Sequence, residues 1–126
     1  MSVKLNEIYK CNLCGNVVEI AGVGGGQLVC CGQPMTLQNE NTVEASKEKH
    51  IPIFEKANGK IQIKVGSVAH PMEEKHYIEW IEIITEKCII RRYLKHGDKP
   101  EAELPTCCNN FSVRAFCNLH GLWKSN

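Results

Sequence analysis

Four cysteines stand close together near the start of the chain, as Cys11-Asn12-Leu13-Cys14 and Cys30-Cys31. A C-x-x-C followed at this distance by a second close cysteine pair is a strong four-sulfur metal signal. Ile8-Tyr9-Lys10 reads as a short strand leading into the first pair, and Val17-Val18-Glu19-Ile20 reads as a second strand. Gly22 and the triplet Gly24-Gly25-Gly26 make a flexible turn between the pairs. A unit of residues 1–37 cannot bury enough apolar surface alone, so a bound ion is expected to act as its staple. Gly15 and Gly32 beside the cysteines let the backbone turn tightly and free amide N–H groups to donate to sulfur. Cys30 and Cys31 are adjacent, and neighbouring side chains diverge, so the site is expected to be a distorted tetrahedron. The competing reading, four reduced thiols that bind nothing, is the weaker one at this spacing.

The whole chain has 126 residues, room for one ordinary domain or a very small one plus a modest one. Its 43% hydrophobic and 23% charged residues are those of a globular protein. Fifteen basic and 14 acidic residues leave a net charge of +1, which gives no reason to expect nucleic acid or a membrane surface as partner. Met1-Ser2-Val3-Lys4-Leu5-Asn6-Glu7 lacks the apolar core of a secretion signal, and no run approaches the length that spans a bilayer. A cytoplasmic location is therefore expected. In that reducing compartment eight cysteines point to metal or redox chemistry more than to disulfides.

Residues 38–47 are polar, lack a clear period and read as a linker. Beyond them Ile51–Lys56 and Lys60–Val65 form a hairpin signal around Ala57-Asn58-Gly59, where Asn-Gly supplies the positive φ values of a tight turn. Ile61, Ile63 and Val65 alternate with polar residues, as in a strand with one buried face. Pro71 disfavours helix at His70. Tyr77–Thr85 and Cys88–Leu94 are rich in β-branched and aromatic residues, and a last strand is expected over Phe111–Phe116. Short strands separated by turns, with no long helical period, predict an all-β sandwich over residues 48–126.

Cys117-Asn118-Leu119-His120 puts a thiol and an imidazole within reach of one ion. A C-x-x-H pair alone is weak, because a metal needs more ligands. Partners are available upstream in His50, His70 and His76, each inside or beside a strand-like run. A lone histidine is more often a surface or core residue than a ligand, and only convergence of all five donors raises these above that reading. If they converge, five protein ligands are too many for tetrahedral zinc and leave one octahedral position open, which suits iron with a reactive site.

Glu48-Lys49-His50-Ile51-Pro52, the run from Gly66 through His70 and His76 to Trp80, and Cys117-Asn118-Leu119-His120-Gly121 together resemble the superoxide reductase family. With Cys11, Cys14, Cys30 and Cys31 added, the chain is similar to the family's two-iron members, the desulfoferrodoxins. The resemblance runs over nearly the whole length. It implies a desulforedoxin-like domain with one iron on four cysteines, followed by an immunoglobulin-like β-sandwich. The second iron would sit on equatorial His50, His70, His76 and His120 with Cys117 as axial thiolate. The implied activity is one-electron reduction of superoxide to hydrogen peroxide at a ferrous centre with an open sixth position. Glu48 resembles the carboxylate that fills that position in the oxidised resting state, and Lys49 the cation beside it. The implied partners are a rubredoxin-like electron donor and a second copy of the chain.

Relatives commonly carry an acidic residue two positions before the axial cysteine, where this chain has Ala115. Cys88 is expected to be a small buried apolar group, Cys107 and Cys108 to have no catalytic part, and His96 to be exposed. Two other functional classes stay open on the residues alone. One is a non-catalytic iron electron-transfer protein, the other a zinc-ribbon interaction module with an unrelated β domain.

Overall fold

A computed structural model describes residues 3–42, 50–67, 69–105 and 109–125. Its contacts divide the chain into two compact units, residues 1–39 and 40–126.

In the first unit Ile8–Lys10 (β1) is the central strand, paired antiparallel with Val17–Glu19 (β2) on one side and Thr36–Gln38 (β5) on the other. Val29–Cys30 (β3) and Gln33–Pro34 (β4) form a separate two-stranded ribbon. The two residues that join them, Cys31 and Gly32, have φ of 54° and 77°. Two consecutive positive φ values are those of a tight hairpin turn whose twist suits antiparallel strands. That turn answers how adjacent cysteines serve one site: Cys31 is rotated into the left-handed region while Cys30 stays on the strand. The apolar interior is small, with Ile8, Tyr9, Cys11 and Ile20 as its buried members among the described residues.

The second unit is a sandwich of two antiparallel sheets. Pro52–Ala57 (β6), Lys60–Val65 (β7) and Glu101–Pro105 (β10) form one sheet, in the order β10-β7-β6. Ile78–Ile84 (β8), Ile89–Tyr93 (β9), Ser112–Cys117 (β11) and Gly121–Lys124 (β12) form the other, in the order β12-β11-β8-β9. Ile61, Ile63 and Val65 of β7 meet Ile81 and Ile83 of β8 and Val113, Ala115 and Cys117 of β11 in one buried cluster. Each fully buried isoleucine contributes roughly 1.5–3 kcal/mol against leaving it in water. The hairpin turn at Asn58-Gly59 has φ of 52° and 74°, as the sequence predicts.

Five strands go beyond the sequence-based reading: the short β3 and β4, and β5, β10 and β12. The beginning of the stretch expected as a linker is also structured. Gln38 ends β5, and Asn41 is hydrogen-bonded through its N–H to the Leu122 carbonyl at 3.0 Å and through its C=O to the Lys124 N–H at 2.9 Å.

On the far side of the β8–β11 pair from the cluster, Glu82 is fully buried between two guanidinium groups. Arg91 Nε and Arg114 Nε each donate to it at 2.7 Å. Both carboxylate oxygens are thus met by guanidinium groups, which offsets the cost of taking them out of water.

Candidate metal centres

The four sulfurs of the first unit meet between two tight turns. Cys11 and Cys14 flank the first, closed by the Gly15 N–H to the Cys11 carbonyl at 2.9 Å, with Gly15 at φ 83°. Cys30 leads into the second and Cys31 is its first residue. The sulfurs all lie within 4.8 Å of one another, with Cys14 Sγ to Cys30 Sγ at 3.6 Å and Cys30 Sγ to Cys31 Sγ at 4.0 Å. A tetrahedron with metal–sulfur bonds of about 2.3 Å has edges of about 3.8 Å, so the set is already the size of a four-thiolate site. Backbone amides point at the sulfurs, from Cys14 to Cys11 Sγ and from Asn16 to Cys14 Sγ, each at 3.5 Å. The Cys14 and Leu13 amides bring the Cys11 thiol down to about 6, whereas the Cys14 and Cys11 sulfurs beside Cys31 push its thiol up to about 12. Sulfurs packed this tightly resist becoming four anions together without a cation among them, and a metal supplies that cation.

The second donor set gathers at one end of the sandwich. His50 stands just before β6, His70 follows β7, His76 leads into β8, and Cys117 and His120 flank the turn from β11 to β12. Antiparallel pairing makes these one end: Pro52 is opposite Val65, and Ile78 is opposite Cys117. Five ligand atoms, from His50, His70, His76, Cys117 and His120, lie within 4.8 Å of one another.

The four imidazoles form a closed cycle. Ring centroids of His50 and His70 are 4.6 Å apart, of His70 and His76 4.9 Å, of His76 and His120 4.9 Å, and of His120 and His50 4.8 Å. Successive ring planes are inclined by 65° to 83°. His50 Nε2 and His120 Nδ1 approach to 3.0 Å, and Cys117 Sγ lies 3.9 Å from the same Nδ1. Cys117 and His50 are fully buried, His70 nearly so, while His76 is half-buried and His120 exposed. Burial within the set thus falls from Cys117, His50 and His70 through His76 to His120.

The protonation of His70 follows from its partner. Its Nδ1 is 2.7 Å from the Pro71 carbonyl, which only accepts, so Nδ1 carries the hydrogen and Nε2 keeps a lone pair. Burial brings this ring down to about 4, so it is neutral near pH 7. The Nε2 atoms of His70 and His76 are buried without a hydrogen-bond partner. A buried nitrogen lone pair left unmatched is costly, and both are matched if an ion lies inside the ring. The residues present thus fit a metal at each set.

Residues 42–126 match the desulfoferrodoxin family, and residues 4–38 match the desulfoferrodoxin N-terminal domain. The chain belongs to the desulfoferrodoxin family. The desulfoferrodoxin of Syntrophotalea carbinolica is 60% identical over 125 residues, covering 99% of this chain and 98% of that one. The desulfoferrodoxin of Nitratidesulfovibrio vulgaris is 53% identical over 119 residues, 94% of each chain. A crystal structure of the superoxide reductase from Treponema pallidum matches with a TM-score of 0.78 at 29% identity, over 95% of this chain and 97% of that one. The four-cysteine and four-histidine-one-cysteine sets correspond to the two iron centres of the desulfoferrodoxin family.

Glu48 and Lys49 lie outside the described residues, as do Cys107 and Cys108. Ala115 is fully buried in the apolar cluster that also holds Cys117. His96 is exposed. Cys88 differs from its expected burial. It is exposed, because β9 begins one residue later and Cys88 belongs to the turn, its Sγ 3.2 Å from Thr85 Oγ1. Two residues of this desulfoferrodoxin site have no expectation in the sequence-based reading, Asn118 and Trp123. The adjacent apolar pair Leu122-Trp123 after the ligand turn was the available signal for a further strand.

Proposed function

We propose that this desulfoferrodoxin is a superoxide reductase, joining superoxide, one electron and two protons into hydrogen peroxide at the four-histidine-one-cysteine site. The observation that carries the reading is the closed cycle of four imidazoles beside a buried thiol, in which His50 and His70 are buried and His120 is exposed. His50, His70, His76, His120 and Cys117 would hold an iron there, which when bound in its ferrous form would supply the one electron.

The chain's own residues do the rest. His70 presents Nε2 as a neutral donor because Pro71 holds the hydrogen on Nδ1. Cys117 supplies a thiolate from the apolar side of the site, where its charge is unscreened by water and its electron donation is strongest. Lys49 adjoins His50 in sequence. Its ammonium is assigned to draw the superoxide anion toward the exposed side and to pass a proton from Nζ to the departing product. Glu48, two residues before His50, is assigned as the carboxylate that would bind the oxidised site and hasten product loss.

Membership of the desulfoferrodoxin family and likeness to superoxide reductases support these roles. A rubredoxin-like protein is the proposed electron donor, the cytoplasm the proposed location, and a homodimer the proposed assembly. Exposed Leu5, Leu13, Val23 and Val29 on so small a first unit support the dimer. Among the described residues no helix is long and apolar enough to cross a membrane.

The test is a superoxide flux applied to anaerobically reduced protein. Stoichiometric oxidation of the histidine-site iron with release of one peroxide per electron is expected. A protein that stays reduced under the flux is instead a non-catalytic electron carrier.

A further inference from the structure

Trp123 is buried and touches the histidine set twice. Its indole stacks on the His50 ring, with centroids 4.5 Å apart and planes inclined by 15°. Its Nε1–H donates to the His120 carbonyl at 3.1 Å. These are the two residues whose ring nitrogens come within 3.0 Å of each other, although they stand 70 residues apart in sequence. No other described aromatic residue outside the histidine cycle stacks on one of its rings.

The indole is itself held on a fixed backbone. Trp123 pairs with Ala115 of β11 on one side and bridges to Asn41 on the other. Asn41 grips the neighbouring Leu122 carbonyl through both its backbone N–H and its side-chain Nδ2, each at 3.0 Å. An aromatic ring anchored this way restricts rotation of the imidazole it covers, and its N–H fixes the carbonyl end of the residue that carries the second ring.

We propose that Trp123 is a positioning residue for the histidine site, holding His50 Nε2 and His120 Nδ1 toward one point before metal arrives. The inference rests on the site binding iron as proposed above. Its consequence is a metal site whose ring orientations are fixed in advance, so that binding costs little ordering and release is slow.

The experiment uses the full-length, iron-loaded protein and two variants, Trp123→Phe and Trp123→Leu. Transfer of histidine-site iron to an excess of ferrous chelator is followed without oxygen. Trp123→Leu is expected to release that iron about tenfold faster than the parent, in the range for losing an outer partner of a ligand. Trp123→Phe keeps a flat ring over His50 and is expected to restore most of the retention. Release from the four-sulfur site serves as internal reference and stays unchanged. Equal histidine-site release from the parent and Trp123→Leu overturns the proposal.

Should Trp123→Leu fail to fold, a second measurement decides. In a Trp80→Phe protein Trp123 is the remaining tryptophan. With the four-sulfur site already loaded, ferrous iron entering the histidine site should quench its emission, and unchanged emission overturns the stacked contact. A parent that retains iron in the histidine site yet leaves superoxide untouched removes the proposed activity and leaves the role of Trp123 standing.

Discussion

Asn118 Oδ1 accepts the Tyr77 N–H at 2.9 Å, and its Nδ2 donates to the Lys75 carbonyl at 2.9 Å. One side chain on the Cys117–His120 turn thus clasps the backbone on both sides of His76. The Asn118 N–H adds a third bond, to the Tyr77 carbonyl at 3.2 Å. Asn118→Ala removes two of these bonds and is expected to cost about 2 kcal/mol, taking about 1 kcal/mol for each. Because it frees the His76 loop, histidine-site iron should also be held more weakly than in the parent. Denaturant unfolding and an iron count per chain check the two effects.

Removing metal should affect the two units unequally. The sandwich has a continuous buried cluster of its own, whereas the first unit buries Ile8, Tyr9 and Ile20 besides the ligand Cys11. Metal-free protein is expected to lose protection of residues 1–39 against proteolysis and hydrogen exchange, while the β7, β8 and β11 amides stay protected. Exchange mass spectrometry before and after chelation reads this directly.

Glu82→Gln leaves the buried Arg114 and the largely buried Arg91 facing a neutral amide. Breaking a buried pair by neutralising one partner costs roughly 3–5 kcal/mol. Glu82 lies on the opposite face of its sheet from the cluster that includes Cys117, so both metal-centre spectra should survive in the folded variant. A shift in denaturation midpoint with unchanged spectra is the expected result.

Lys49→Ala is expected to slow the reaction with superoxide and to flatten its dependence on ionic strength, with iron content retained. The attraction of one ammonium for an anion is what added salt screens. Pulse radiolysis across a salt series tests it, and a rate that keeps its full salt dependence removes Lys49 from the mechanism.

Cys117→Ser is expected to abolish the thiolate-to-iron absorption of the oxidised histidine site and to leave the four-sulfur absorption in place. Optical spectra of the oxidised variant decide. Survival of both bands removes Cys117 as the thiolate ligand.

Much of this arrangement is legible in the residues. The hairpin at Asn58-Gly59, the alternation of β7 and the four-cysteine set follow from turn chemistry, pattern and spacing. The five donors of the second set come instead from the family resemblance, since spacing alone leaves each histidine a poor candidate. Strand β10 escaped because Pro100 and Pro105 punctuate it as a turn, although Glu101-Ala102-Glu103-Leu104 alternates cleanly. At the edge of its sheet, a strand tolerates Pro at its end.

The face of Ile78 is a deeper case. Strict alternation from Trp80 and Glu82 puts Ile78 on their side, away from the cluster. The pairing slips between Phe116 and Cys117, leaving Glu79 as an extra residue, and Ile78 turns into the cluster beside Cys117 instead. A bulge of this kind depends on the partner strand, which no local pattern reveals. Trp123 was hidden for a related reason, since its partners His50 and Asn41 are far away in sequence.

The two donor sets are also completed at very different points along the chain. Cys31 finishes the first, and His120 finishes the second. Translation at about 5–20 residues per second separates these two moments by roughly 5–20 s. A growing polypeptide therefore offers its centres to the cellular iron pool one after the other, and the four-sulfur site can fill while the other still lacks its last imidazole.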